Sequence, residues 1–204
     1  MSRITGIIQQ TKNRFLNLFE LETVNRVGTP GKYFVASRAE KTEDLKIMTK
    51  KNRADGVAMY VLCGPEHDKV LLIRQWRWPL GTYVYEFPAG LVDGDESFRE
   101  AAVREVWEET GLRLEVVDAD PMFEEPRFMT DGMTDESCAM VYGYADDVLA
   151  EQHLEDSEEI EVLIADRDEV RRILKEEYVA CNCALQLMHF LADEEPFAFL
   201  KKDW

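Results

Sequence analysis

Basic residues are scarce in this chain. Only 24 Lys and Arg stand against 41 Asp and Glu in 204 residues, a formal net charge of −17. Such a balance lacks the basic footprint that non-specific binding to nucleic acid or anionic membrane requires, so neither is an expected partner. Cysteine is also sparse: Cys63, Cys138, Cys181 and Cys183 form no C-x-x-C pair, which argues against a zinc site and fits a reducing cytoplasm. The three histidines, His67, His153 and His189, show no metal-ligand spacing, and no G-x-S-x-G elbow accompanies them. The longest uninterrupted apolar run is 57–63, far below the ~18 residues needed to span a bilayer. The stretch from Ile4 to Ile8 is too short for the apolar core of a signal peptide, so a cytoplasmic, soluble protein is expected. With 7 Pro, 11 Gly and no repeat, low-complexity and collagen-like chains are excluded as well.

What remains is an ordinary globular composition, 46% apolar, in a chain long enough to bury a full core. Its charge is uneven. Residues 1–53 carry 11 Lys and Arg and 5 Asp and Glu, so the whole acidic excess lies in residues 54–204. Such asymmetry suggests different jobs for the two segments. The division expected is a small N-terminal β segment, 1–53, followed by one larger domain, 54–204. Within the first, 15–24 (FLNLFELETV) and 32–38 (KYFVASR) read as two strands around a Gly28–Gly31 turn.

In the second segment, 57–63 and 70–75 read as a hairpin and 83–87 as a third strand. Further strands are expected at 112–117, 139–144 and 160–165. Residues 166–178 read as a helix with Asp166 as cap and Glu169 in capping-box position. Residues 182–192 read as a final helix with Leu185, Met188 and Leu191 on its core face.

The informative stretch is 90–112, GLVDGDESFREAAVREVWEETGL. Ser97 followed by Glu100 is a capping box that starts a helix at Phe98, and Gly111 is its natural stop. Glu105, Glu108 and Glu109 sit at i, i+3 and i+4, hence on one arc of that helix. Like charges so placed destabilise a helix. Ala101 and Ala102 lie one turn ahead and Leu112 one turn behind, so no cation is expected to relieve them, while the small side chains leave room for an approaching ligand. Val103 and Val106 are expected to face a core. Clustered carboxylates suit hard divalent cations such as Mg²⁺ or Mn²⁺, which also take phosphate oxygens.

Gly90, Glu96, Arg104, Glu105, Val106, Glu108, Glu109, Gly111 and Leu112 together match G-x5-E-x7-R-E-U-x-E-E-x-G-U, where U is aliphatic. This is the signature of the Nudix hydrolases, which the chain resembles. The resemblance implies an α/β fold, an α/β/α sandwich around a mixed sheet. It implies metal-dependent hydrolysis of a nucleoside diphosphate linked to another moiety. Glu105, Glu108 and Glu109 would be metal ligands, Arg104 would orient a helix glutamate, Glu96 would brace the loop, and Gly90 would allow its tight turn.

The flanks 54–61 (ADGVAMYV), 72–78 (LIRQWRW) and 85–91 (YEFPAGL) resemble the ADP-ribose pyrophosphatase group. That resemblance implies a metal-facing carbonyl at Ala89, substrate contacts from Arg77, Glu86, Arg38 and Tyr33, and a homodimer. Trp76 and Trp78 would be core or dimer-interface anchors. It also implies a catalytic base on the acidic loop 154–160 (LEDSEEI), where spacing favours Glu158, with Glu159 next. Two departures stand out: Asp131 replaces the proline that the group usually has after the box, and several carboxylates compete on the loop. Two other readings stay open, a nucleoside triphosphate pyrophosphatase and a Nudix-fold ligand sensor without turnover.

Overall fold

Three antiparallel strands open the chain in the computed structural model, which describes residues 1–149, 151–155 and 158–201. They are β1 (Arg3–Gln9), β2 (Asn17–Val24) and β3 (Pro30–Ser37), paired in that order. The β2–β3 turn sits earlier than the expected Gly28–Gly31, at residues 25–29, because Pro30 and Gly31 already pair within β3. Asn25 accepts from the backbone N–H groups of Val27 and Thr29 at 3.0 and 2.9 Å, and Gly28 supplies the positive φ of 92°. Strand β1 has no counterpart in the sequence reading, because its alternation is broken by a register shift between Ile4 and Gly6.

The chain folds into two compact units. The first holds residues 1–55 together with 126–138; it adds a single helical turn, α1 (Lys46–Thr49), to the three strands. Its pin is the Lys46 ammonium, which pairs with Asp55 at 2.6 Å and donates to the Arg53 carbonyl at 2.9 Å and to the Ser137 hydroxyl. Ser137 is fully buried, and its N–H returns to Asp55 at 2.8 Å. One cation therefore ties residues 46–55 to Ser137, more than 80 residues away. Lys46→Met keeps the stem and removes the donors. Urea denaturation should show a loss of about 2 kcal/mol, the scale of leaving partly buried polar groups unpaired; an unchanged midpoint would count against the pin.

The second unit holds residues 56–125 and 139–204. In chain order it contains β4 (Gly56–Cys63), β5 (Lys69–Arg77), β6 (Thr82–Glu86), β7 (Ala89–Leu91), α2 (Phe98–Thr110), β8 (Glu115–Val116) and α3 (Pro121–Glu124). After β9 (Arg127–Phe128), which belongs to the first unit, come β10 (Ser137–Ala145), whose first two residues also belong to the first unit, β11 (Ile160–Ala165), α4 (Arg167–Glu176) and α5 (Cys181–Ala192). The mixed sheet runs β11-β5-β4-β10-β8. Strands β4 and β5 pair only at Leu62–Val70 and Cys63–Lys69 and then part; β6 continues along β5 and β7 along β4. That split is what lets the chain cross from one strand to the other between Glu86 and Ala89.

From Val57 onward β4 is buried on both faces, as its unbroken apolar run requires. Tyr60 and Leu62 join Val70 and Leu72 in a cluster with Val170 and Ile173 of α4 and Cys183, Leu187 and Phe190 of α5. On the other side α2 lies against β4 and β7. The expected core stripe of the last helix is corrected here. Leu185 and Met188 are exposed, at 62% and 56%; Leu191 packs against the core as expected, and the buried stripe is Cys183, Leu187 and Phe190. The helix is apolar on more than one face, so periodicity alone offered two choices. Asp166 does cap α4, accepting from Asp168 and Glu169 N–H, but Glu169 pairs with Arg172 instead of completing a box. No described helix is long and apolar enough to cross a membrane.

Candidate functional site

Helix α2 begins and ends where the sequence says. Ser97 and Glu100 form the reciprocal capping box, and Gly111 closes the helix at φ 71°. Ala101, Ala102 and Val106 are fully buried. Val103 is not, at 43% exposure, and the two alanines are packed inside the core, not held open above the carboxylates. The expectation of unrelieved charge is also corrected. Arg104 stands one turn ahead of Glu108 and beside Glu105, and its guanidinium reaches both, at 3.0 and 2.8 Å.

Arg104 is in fact the hub of the loop and helix. It pairs with Glu96 at 2.7 Å and donates to the Leu91 carbonyl at 3.0 Å. Glu96 in turn accepts from the Asp93 N–H at 2.8 Å, and the Arg104 contact holds its carboxyl below the usual glutamate range. The 90–97 loop is thus clamped to the helix through one arginine.

The three helix glutamates sit in different surroundings. Glu108 is partly exposed, Glu105 is mostly covered, and Glu109 is buried at 2% exposure. Burial pushes the Glu105 and Glu109 carboxyls upward, Glu109 strongly, with the neighbouring Glu105 charge adding to it. Glu109 accepts one backbone hydrogen bond, from Ala89 at 3.1 Å. Beside it, Gly90 passes so close to the helix that a Cβ there would lie 1.9 Å from the Glu105 carboxyl carbon. The β7 backbone and the carboxylate face are therefore in direct apposition, which only glycine allows.

Such a donor set fits a hard divalent cation: oxygen ligands alone, one carboxylate buried beside a second, and a β7 backbone packed against it. Among the described residues no His, Cys, Asp and Glu side chains are drawn into a metal-holding cluster; Glu105 and Glu108 pair with Arg104.

Arg77 and Glu86 flank this face from the β5–β6 pair and form a two-pronged ion pair, both contacts at 2.6 Å. The Arg77 charge is felt at Glu109. Glu158 is near enough that its charge raises both Glu105 and Glu109. Glu159 points elsewhere, accepting from the Tyr83 hydroxyl. Asp156 and Ser157 of that loop lie outside the described residues. The second unit thus brings together Arg77, Glu86, Ala89, Gly90, Glu96, Arg104, Glu105, Glu108, Glu109 and Glu158. Tyr33 and Arg38 belong to the first unit, where the Tyr33 hydroxyl donates to Gly132 and Arg38 pairs with Glu136 at 2.8 Å. Trp78 is 80% exposed and so is no core residue.

The NUDIX domain family matches residues 52–181, well over half of the chain and all of the carboxylate helix. The chain belongs to that family. Among relatives, an ADP-sugar pyrophosphatase of Mus musculus is 40% identical over 82 residues, 39% of this chain and 38% of that protein. An ADP-ribose pyrophosphatase of Saccharomyces cerevisiae is 40% identical over 62 residues, 30% of this chain and 27% of that protein. The matched stretches thus span well under half the length of these relatives. A solved structure titled an ADP compounds hydrolase aligns over 86% of this chain and 83% of its own with a TM-score of 0.57; at 19% identity it shares the fold. The α/β fold around a mixed sheet is shared with that solved structure, which also aligns over most of the chain outside the matched domain.

Sequence reasoning missed Gln152 and His153. Both bond the end of α2 from more than 40 residues away, to Glu109 O at 2.6 Å and Glu108 O at 2.7 Å. No local pattern announces such contacts.

Proposed function

We propose that this NUDIX hydrolase cleaves the diphosphate linkage of ADP-ribose or a related nucleoside diphosphate sugar, releasing a nucleoside monophosphate and a sugar phosphate. The observation that carries the reading is the apposition of the Glu105, Glu108 and Glu109 face with the Ala89–Gly90 backbone, clamped by Arg104 and flanked by Arg77. The names of the relatives support the substrate class.

Glu105, Glu108, Glu109 and the Ala89 carbonyl would hold Mg²⁺, or Mn²⁺ in its place. A divalent cation there supplies charge neutralisation for the phosphates and acidifies water. Arg77 binds a phosphate oxygen as a two-pronged donor, released for that task as Glu86 exchanges partners. Glu158 accepts the proton of the attacking water; the new P–O bond forms as the P–O–P bridge breaks and the second phosphate departs. Arg104 and Glu96 keep the loop and helix in register throughout. Tyr33 and Arg38 of the N-terminal β segment, 1–53, contact the substrate, and that segment joins two copies in a homodimer; light scattering checks the latter. The cysteine pattern supports a cytoplasmic location.

A panel of nucleoside diphosphate sugars and nucleoside triphosphates with Mg²⁺ tests the reading. Turnover of ADP-ribose or a close analogue, with monophosphate and sugar phosphate as products, is expected. Preference for triphosphates, or binding without product, overturns it.

A further inference from the structure

The last carbonyls of a helix have no partner within the helix. In α2 the Gly111 N–H closes on Trp107 O at 2.8 Å, and the Leu112 N–H goes to the Thr110 hydroxyl at 3.2 Å. Glu108 O and Glu109 O are then met from outside. The His153 N–H donates to Glu108 O, and its ring stacks on Trp107 with centroids 4.0 Å apart. The Gln152 side-chain amide donates to Glu109 O at 2.6 Å and also to Ile160 O at 3.2 Å, at the first residue of β11. One amide therefore bridges the end of the carboxylate helix and the strand that follows the acidic loop.

That loop is held at its far side too. Glu159 O accepts from Trp76 N–H at 3.1 Å, and the Glu159 carboxylate accepts from the Tyr83 hydroxyl. Glu158 lies between these fastenings, and its own carboxylate accepts from the Glu155 N–H at 2.9 Å. Its charge reaches Glu105 and Glu109.

We propose that Gln152 and Tyr83 are positioning residues that fasten the acidic loop on its two sides and so fix Glu158 relative to the carboxylate helix. The inference rests on the reading of Glu158 as proton acceptor. It goes beyond that reading by saying what aims the group: neither residue touches the reacting atoms, and each acts through the loop. Misplacing a reacting group by about 1 Å costs on the order of 100-fold in rate, so the tethers should be visible in turnover.

The test uses the full chain with Mg²⁺ and ADP-ribose, and the variants Gln152→Leu, Tyr83→Phe, Glu158→Gln and both doubles with Glu158→Gln. Gln152→Leu is expected to lower kcat by about 10- to 100-fold with KM little changed. Tyr83→Phe should lower kcat by a smaller factor. Neither should slow the Glu158→Gln enzyme further, because the group they aim is already gone. A merely structural role would multiply with Glu158→Gln instead. Wild-type kcat in both single variants, or full effects persisting in the Glu158→Gln background, overturns the inference and leaves the proton acceptor standing. Wild-type kcat in Glu158→Gln overturns that reading and the inference with it. Should Gln152→Leu fail to fold, Tyr83→Phe decides, since it removes one hydroxyl from a partly exposed ring.

Discussion

Gly90→Ala is expected to abolish turnover, by about 100-fold or more, while the protein stays folded. The added Cβ would sit 1.9 Å from both the carboxyl carbon and one oxygen of Glu105. Those atoms are the far end of a flexible side chain, so Glu105 can swing away. The backbone need not move, because Gly90 pairs with Val57 in β7 without the positive φ that would exclude alanine. Losing one electrostatic partner of a phosphoryl transition state costs on the order of 10²–10³ in rate. The thermal midpoint should stay near that of the parent, and a structure of the variant should show Glu105 displaced from Arg104. Parental kcat would mean that the Gly90–Glu105 apposition plays no part in catalysis.

Glu109→Gln is the second large effect, and it separates function from stability. The buried carboxylate is held well above the usual glutamate range by burial and by the Glu105 charge. A folded-state pKa above the unfolded one favours folding below the unfolded value, and this contribution is lost as pH rises through the folded pKa. At neutral pH the metal-free protein therefore carries a penalty for the ionised form. Glutamine keeps an acceptor for the Ala89 N–H and removes the charge. The metal-free thermal midpoint at pH 7–8 should hold or rise, and the advantage over the parent should shrink toward acid pH. Activity should fall by roughly 100-fold or more. The upward shift in midpoint that Mg²⁺ gives the parent, as any ligand of the folded state does, should be lost. A variant that is destabilised without metal yet keeps its Mg²⁺ shift would show that Glu109 is a packing residue.

Several pieces were legible in the sequence because they depend on neighbours a few positions away. The Ser97–Glu100 box and the Gly111 stop set both ends of α2, and the structure returns Phe98–Thr110. The same holds for β11, read and found at Ile160–Ala165. The spacing of Glu105, Glu108 and Glu109 placed them near one another on the helix before any fold was known. Where periodicity had two solutions it chose wrongly: α5 buries Cys183, Leu187 and Phe190, and leaves Leu185 and Met188 in solvent.

The sequence by itself determined the carboxylate helix, its caps and the family to which the chain belongs, since capping and helical spacing are short-range. Only the tertiary structure decided which glutamate is buried, that Arg104 gathers Glu96, Glu105 and Glu108 at once, and that residues 126–138 fold with the N-terminal strands. It also gave the Glu159 carboxylate the Tyr83 hydroxyl as a donor. Each of these depends on groups brought together from distant parts of the chain, and desolvation and pairing are set by what packs across, which no local pattern contains.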